Sequence, residues 1–319
     1  MSVVRNDTDG NIMAYQFDEV NDIVDTKKVL TRIFTNGTYQ TLGSIDEHTL
    51  KPIAPGDSQL LIVAGGGSGG GPVGSGGGGG AGELVYTTAN LVSSYYINIG
   101  SGGSGVGSGQ GHNGQNTYIQ DTVSGKIIHN AIGGGGGGAN STVRGLDGGS
   151  GGGGGEAFGA ASHGGNSIAV EGYGSHGANA SSSLGPGGGG GAGGTGGTES
   201  NRPDNGGPGL TYDISGTNVT YANGGVVSAT SAISPTTYGG GGGATTSGNP
   251  GIIIISYYGA AKATGGTITT VGTNTVHTFT SSGNFTPTRA ITKLRQRLNY
   301  SNGNLQIVGS FDEVTLPNS

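Results

Sequence analysis

The chain has 319 residues, 76 of them glycine, with no cysteine, no tryptophan and a formal net charge of −6. No disulfide framework and no thiolate metal site is open to such a chain. Charged residues make up only 10% of it, which excludes the basic patch of a nucleic-acid or anionic-membrane binder, and no apolar run is long enough for a transmembrane helix.

Residues 1–57 have ordinary composition. Met1-Ser-Val-Val-Arg5 shows no secretory signal, which fits assembly inside a cell and release in a particle, and equally an intracellular protein. Asp9-Gly10 and Asn36-Gly37 are hairpin-turn dipeptides set between alternating apolar residues. They predict hairpins over residues 3–17 and 32–42. Ile23 to Leu30 reads as a strand or a short helix. Pro52 and Pro55 break the chain before Gln59-Leu-Leu-Ile-Val63.

From Gly65 to Gly251 the chain holds 65 of its 76 glycines, against a usual frequency of about 7%. Unbroken runs lie at Gly76–Gly80, Gly133–Gly138, Gly151–Gly155, Gly187–Gly191 and Gly239–Gly243. They are not helices, because each glycine costs roughly 1 kcal/mol relative to alanine. Two states remain: a flexible linker, or extended polyglycine with three residues per turn, joined backbone to backbone. The spacers decide between them. Glu83–Tyr86, Ser94–Ile99, Lys126–His129, Ser167–Glu171 and Gly251–Tyr258 are short runs rich in β-branched and aromatic residues. A linker would not carry Ile252-Ile-Ile-Ile255.

The block is therefore expected to be folded and all-β with little or no helix. Strands form a scaffold, and PPII-like polyglycine segments pack between them. Ordering so much glycine is entropically costly. Nearly every buried N–H and C=O must then be paired.

Residues 260–319 repeat the character of the start. Asn302–Leu316 aligns without a gap on Asn36–Leu50, and Asp9–Val20 is a third copy with a one-residue shift. Each copy runs turn, strand, then Phe17-Asp18-Glu19, Ile45-Asp46-Glu47 or Phe311-Asp312-Glu313. Repetition of this kind marks a unit that stacks on copies of itself. Adjacent acids on a strand point to opposite faces, so they do not converge on a substrate. They are read as an assembly motif. The organisation expected is an N-terminal β-hairpin assembly module (1–57), a glycine-rich polyglycine/β domain (58–259) and a C-terminal β module (260–319).

The motifs of catalysis lack their context. Gly125-Lys126 is followed by Ile127, not by the Ser or Thr of a phosphate-binding loop. Gly66-Gly-Ser-Gly-Gly70 has the letters of a nucleophile elbow but runs into more glycine. Asp7-Thr-Asp-Gly-Asn11 lacks the distal glutamate of a calcium loop. His163 with His176 reads as polar loop residues before it reads as a metal pair. No enzyme, cofactor or metal is expected.

The ordered series Leu60–Gly67, Gly111–Tyr118, Ala131–Gly138, Gly187–Gly194, Gly206–Leu210, Ile214–Thr217 and Gly251–Tyr257 resembles the glycine-rich domain of phage and other virus structural proteins, over about residues 58–259. The strand pairs ending in Phe-Asp-Glu-Val resemble structural proteins of marine cyanophages. In the glycine-rich family a segment like Val276–Pro287 precedes the first glycine strand; here it follows the block. Its last strand is thus open to pairing within its own chain or with a neighbouring copy.

The resemblance implies a tail-fibre or adhesin-like subunit on the virion surface, assembled as a homotrimer with other virion proteins. Its loops would face a host-surface glycan or protein. On that reading Phe158, His163, Tyr173, His176 and Tyr238 are the receptor-binding candidates. The alternative for the aromatic rings is that they pack over polyglycine and close a small core. Alternatives for the whole chain are a capsid decoration or capsid-fibre protein, an ice-binding protein, and a self-assembling extracellular filament.

Overall fold

In the computed structural model the described residues are 3–6, 12–15, 24–33, 39–49, 55–140, 143–156, 162–182, 185–197, 205–227, 238–288, 292–301 and 304–314, with backbone alone in the strands before residue 50 and after residue 291. They contain no helix. The chain forms two compact units, Met1–Ala54 with Thr288–Ser319, and Pro55–Pro287.

The strands before the glycine block are β1 (Val3–Asn6), β2 (Ile12–Tyr15), β3 (Val24–Ile33), β4 (Tyr39–Thr49) and β5 (Gly56–Val63). Within it lie β6 (Leu84–Leu91), β7 (Tyr95–Asn98), β8 (Thr117–Asp121), β9 (Ile127–Ala131), β10 (Leu210–Tyr212) and β11 (Val219–Tyr221). After it come β12 (Ile252–Tyr258), β13 (Ala263–Thr264), β14 (Thr267–Val271), β15 (Asn274–Phe279), β16 (Gly283–Pro287), β17 (Thr292–Ser301) and β18 (Asn304–Val314).

The first unit is one antiparallel sheet in the order β1-β2-β3-β4-β17-β18. Both N-terminal hairpins form, with Asn6 opposite Ile12 and Ile33 opposite Tyr39; their turn dipeptides lie outside the described residues. Val24 to Ile33 is a strand, paired on both sides. The sequence repeat extends to the backbone. In the β3–β4 pair the register slips so that Leu42 is the extra residue before Gly43. In the β17–β18 pair it slips at Val308, before Gly309. These are aligned positions of the repeat, so the two hairpins share one β-bulge and the sharper twist it brings.

The second unit is built on two antiparallel sheets, β14-β15-β12-β5-β6 and β13-β16-β7-β8-β9, with β10 and β11 as a separate pair. β15 pairs with β12 from Ile253↔Phe279 to Tyr258↔Asn274, so the segment that follows the block pairs within its own chain. β5 and β12 are central and covered on both faces. Leu60, Ile62, Ile253, Ile255 and Tyr257 face one apolar cluster with Ile97, Ile119 and Phe285 of the other sheet. Leu61, Val63, Ile252 and Ile254 face a second cluster with Ile214, Tyr221 and Ala222. Two-sided burial explains why these strands are continuous apolar runs instead of alternating ones.

At one end of the sheets the strands continue as glycine segments. Val63 sits opposite both Leu84 and Ile252; the chain beyond Val63 and Leu84 is glycine-rich, and Gly248-Asn-Pro-Gly251 lies beyond Ile252. The amides of Ala64, Gly67 and Gly70 donate to Glu83, Gly80 and Gly77 at 3.1, 2.8 and 2.9 Å. Those of Gly65, Ser68 and Gly71 donate to Gln115, His112 and Gly109, and those of Gly66 and Gly69 to Asn249 and Thr246. Every third amide thus returns to the same neighbour, as a threefold PPII-type helix requires.

The carbonyls of the same segment accept from three further segments. Gly65 and Ser68 accept from Gly134 and Gly137, Gly66 from Gly103, and Gly67 and Gly70 from Gly242 and Thr245. One segment therefore has six neighbours, some parallel and some antiparallel. This lattice is what stabilises the block: it pairs the buried backbone groups that have no strand partner. Where a neighbour is missing, a side chain replaces it. Asn113 and Asn116 Oδ1, three residues apart, accept the amides of Gly136 and Gly133 at 2.9 and 3.0 Å.

Candidate functional site

Residues 162–180 form a glycine-segment hairpin. Ala180 N–H donates to Ser162 O at 2.8 Å and Gly177 N–H to Gly165 O at 3.0 Å. Ser167–Glu171, expected as a strand, is the turn of this hairpin instead. Its backbone amides are drawn to a side chain rather than to a neighbouring strand. Glu83 Oε1 accepts from Val170, Glu171 and Gly172 at 3.0, 2.7 and 2.7 Å, while Oε2 accepts from Ile132 at 3.0 Å. Glu83 is fully buried. Tyr173 and Leu84 then exchange a pair of backbone hydrogen bonds, and His129 Nδ1 meets Glu171 Oε2 at 2.9 Å.

The two arms of the hairpin carry related sequences, Ser162-His163-Gly-Gly-Asn166 and Ser175-His176-Gly-Ala-Asn179. Running antiparallel at three residues per turn, they put both histidines and both asparagines around one open cleft of about 630 Å³. Among the described residues Arg144, Ala178 and Thr195 add their side chains to its lining. Asn179 Oδ1 accepts Gly164 N–H at 3.0 Å, and His176 Nδ1 accepts Ser167 N–H at 3.1 Å. These bonds orient both groups: the neutral imidazole must carry its proton on Nε2, and the carboxamide must present Nδ2 outward. Arg144 is held by Asp147, whose Oδ1 also accepts Asn166 N–H at 2.6 Å.

A second exposed feature lies at the turn end. Tyr173 is 52% and Tyr86 39% exposed. Tyr86 stacks on Tyr212 with ring centroids 4.5 Å apart, tilted by 31°. Burial pushes the Tyr212 hydroxyl above its ordinary pKa, with Tyr173 and Tyr86 adding to the shift. The three rings are thus neighbours, although they come from residues far apart in sequence.

The candidates named from sequence fall in different places. His163 and His176 share the cleft, and Tyr173 belongs to the tyrosine group. Tyr238 packs against the second apolar cluster. Phe158 lies outside the described residues. Of the assembly motif, Ile45, Asp46 and Glu47 sit in β4 opposite Lys28, Lys27 and Thr26, and Glu47 also pairs with Arg295. Phe311, Asp312 and Glu313 sit in β18 opposite Arg295, Leu294 and Lys293. Phe17, Asp18 and Glu19 lie outside the described residues. Sequence reasoning missed Arg144, Asn166, Asn179 and the role of Glu83. The duplicated Ser-His-Gly-x-Asn string was the available signal for the two asparagines.

Among the described residues no group of three or more His, Asp or Glu side chains is placed to hold a metal ion, and no helix is long and apolar enough to cross a membrane. A family model described as a glycine-rich domain matches residues 48–284. The chain belongs to that family. No curated protein and no solved structure matches it. The glycine-rich domain match takes in the second apolar cluster, the first but for Phe285, the lattice, the cleft and the tyrosine group.

Proposed function

We propose that this glycine-rich domain protein is a virion surface subunit of the tail-fibre or adhesin type, not an enzyme, and that it assembles with copies of itself as a homotrimer. The observation that carries this reading is the lattice. Backbone bonded to six neighbours is a stiff support, held mainly by main-chain hydrogen bonds. The turns that join its segments are then free to vary in sequence and to present a contact surface. The cleft between His163 and His176 and the rings of Tyr86, Tyr173 and Tyr212 are such surfaces. Tyrosine and small polar residues suit contact at low entropic cost. The resemblance of the ordered glycine series to virus structural proteins supplies the setting.

The test is immunogold labelling of purified virus particles from the source of the sequence, with antibody raised against the second unit. Labelled projections on the particle surface are expected, and their position separates a tail fibre from a capsid fibre. Absence of the protein from purified particles, by labelling and by mass spectrometry, overturns the reading.

A further inference from the structure

We propose that the cleft between the two Ser-His-Gly-x-Asn arms binds an acidic saccharide, a hydroxylated ring that carries a carboxylate. This deepens the attachment reading and rests on it only for the source of the ligand. The argument begins with which polar atoms of the cleft are already used. Asn179 Oδ1 and His176 Nδ1 are occupied by the amides of Gly164 and Ser167. What these two residues turn to the cleft is therefore donors alone, the Nδ2 hydrogens and Nε2–H. Arg144 spends Nη2 on Asp147 and sets Nε against Gly164 O. Its Nη1 has no partner among the described residues. Three donor groups of fixed orientation, one of them cationic, favour a carboxylate over a neutral acceptor.

The rest of the lining is amphoteric. The side chains of His163 and Asn166 are exposed and have no partner among the described residues, and Thr195 adds a hydroxyl. Each can both donate and accept, as the hydroxyls of a sugar ring also do. The cleft is open, and the rest of its lining is glycine and Ala178; among the described residues it has no large apolar side chain for a lipid or an aromatic ligand. No described acid lines the cleft, and Asp147, which holds Arg144, is already bonded to it and to Asn166 N–H.

The full-length protein is titrated calorimetrically with a short oligogalacturonate, with a neutral oligogalactan of equal length, and with sodium acetate. Saturable binding of the oligogalacturonate is expected, at least about tenfold tighter than the neutral sugar. His163→Ala and Asn166→Ala remove side chains that hold no bond to another described residue, so both variants are expected to fold and each to weaken binding by about tenfold. Amide exchange across residues 162–180 checks that folding. Four results overturn the proposal: no saturable binding by the folded protein, equal binding of the neutral sugar, an unaffected His163→Ala/Asn166→Ala double variant, or acetate matching the oligomer in affinity. The two readings fail separately. A protein present on particles that binds no acidic sugar loses only the ligand class. A protein absent from particles loses the attachment reading, and the binding measurement stands by itself.

Discussion

A β-carbon built on Gly135 would lie 2.0 Å from the carbonyl oxygen of Leu146, an atom of the neighbouring backbone. On Gly189 it would lie 1.9 Å from Gly79 O. Backbone cannot rotate aside as a flexible side chain can. The first prediction therefore concerns alanine, the smallest possible addition. Gly135→Ala and Gly189→Ala are each expected to cost at least about 3 kcal/mol, beyond the usual range for overpacking, and the valine variants more. Gly107 has nothing within 4 Å of the same construction. Gly107→Ala is expected to stay within about 0.5 kcal/mol of wild type. Denaturant midpoints for wild type and the three alanine variants test the contrast; equal midpoints would refute the lattice.

The contrast also marks what was legible in sequence. Ile252-Ile-Ile-Ile255 could only be a buried strand, and β12 is one. The glycine runs left a flexible linker or extended polyglycine, and the strand-like spacers between them pointed to the second. Which segment neighbours which was not legible. Gly67 and Gly70 carry no side chain that could tell one neighbouring segment from another, so their pairing is set by the strands that feed them. Ser167–Glu171 looked like a strand by composition, yet Glu83 captures three of the amides at its turn. That contact spans more than eighty residues, and no local pattern records it. The hairpin repeat of Asn36–Leu50 and Asn302–Leu316 was legible, and so was its strand content. Its shared bulge at Leu42 and Val308 was not.

Glu83 yields the second prediction. Its two oxygens take four backbone amides. Glu83→Ala is expected to destabilise the second unit by about 2–4 kcal/mol, allowing for water reaching part of the turn. Glu83→Gln keeps one acceptor oxygen but sets an amide NH₂ against one of the donors, so it falls between alanine and wild type. Hydrogen exchange provides the specific readout. The amides of Ile132, Val170, Glu171 and Gly172 should accelerate together in Glu83→Ala. Acceleration confined to Ile132 would show that the turn holds itself.

The third prediction concerns pH. His277 is fully buried, with Nδ1 2.7 Å from Gly265 O and Nε2 2.8 Å from the Tyr257 hydroxyl. The carbonyl can only accept, so Nδ1 carries the proton and Nε2 accepts from the hydroxyl. That hydroxyl in turn accepts Lys262 N–H at 2.9 Å. Protonating Nε2 would leave the hydroxyl proton without its acceptor. Burial holds the His277 pKa below its ordinary value of 6.5, against the opposing effect of the Gly265 carbonyl. The unfolded chain therefore takes up a proton that the folded one refuses. Stability is complete above about pH 6.5 and declines as pH falls below it. Urea midpoints between pH 5 and pH 8 should show that decline in wild type and a shallower one in His277→Gln. The other titrating groups are common to both proteins, so parallel curves would remove His277 as the cause.

The fourth prediction separates the two units. Both apolar clusters and the glycine lattice are internal to Pro55–Pro287. The sheet of the other unit is completed by β17 and β18, which come from the far end of the chain. Truncation at residue 289 removes both strands. β4 then loses its pairing through Glu47, His48 and Thr49 and becomes an unpaired edge, a surface open to non-native pairing. If the repeated hairpins are the assembly module, the truncated chain should keep slow exchange at Gly133–Gly138 and Gly187–Gly191 while losing the oligomer. Light scattering coupled to size exclusion measures the second outcome and hydrogen exchange the first. A truncated protein that still forms the full-length oligomer would move assembly to the glycine-rich unit. Random-coil exchange in the glycine runs would show instead that the lattice depends on the terminal sheet.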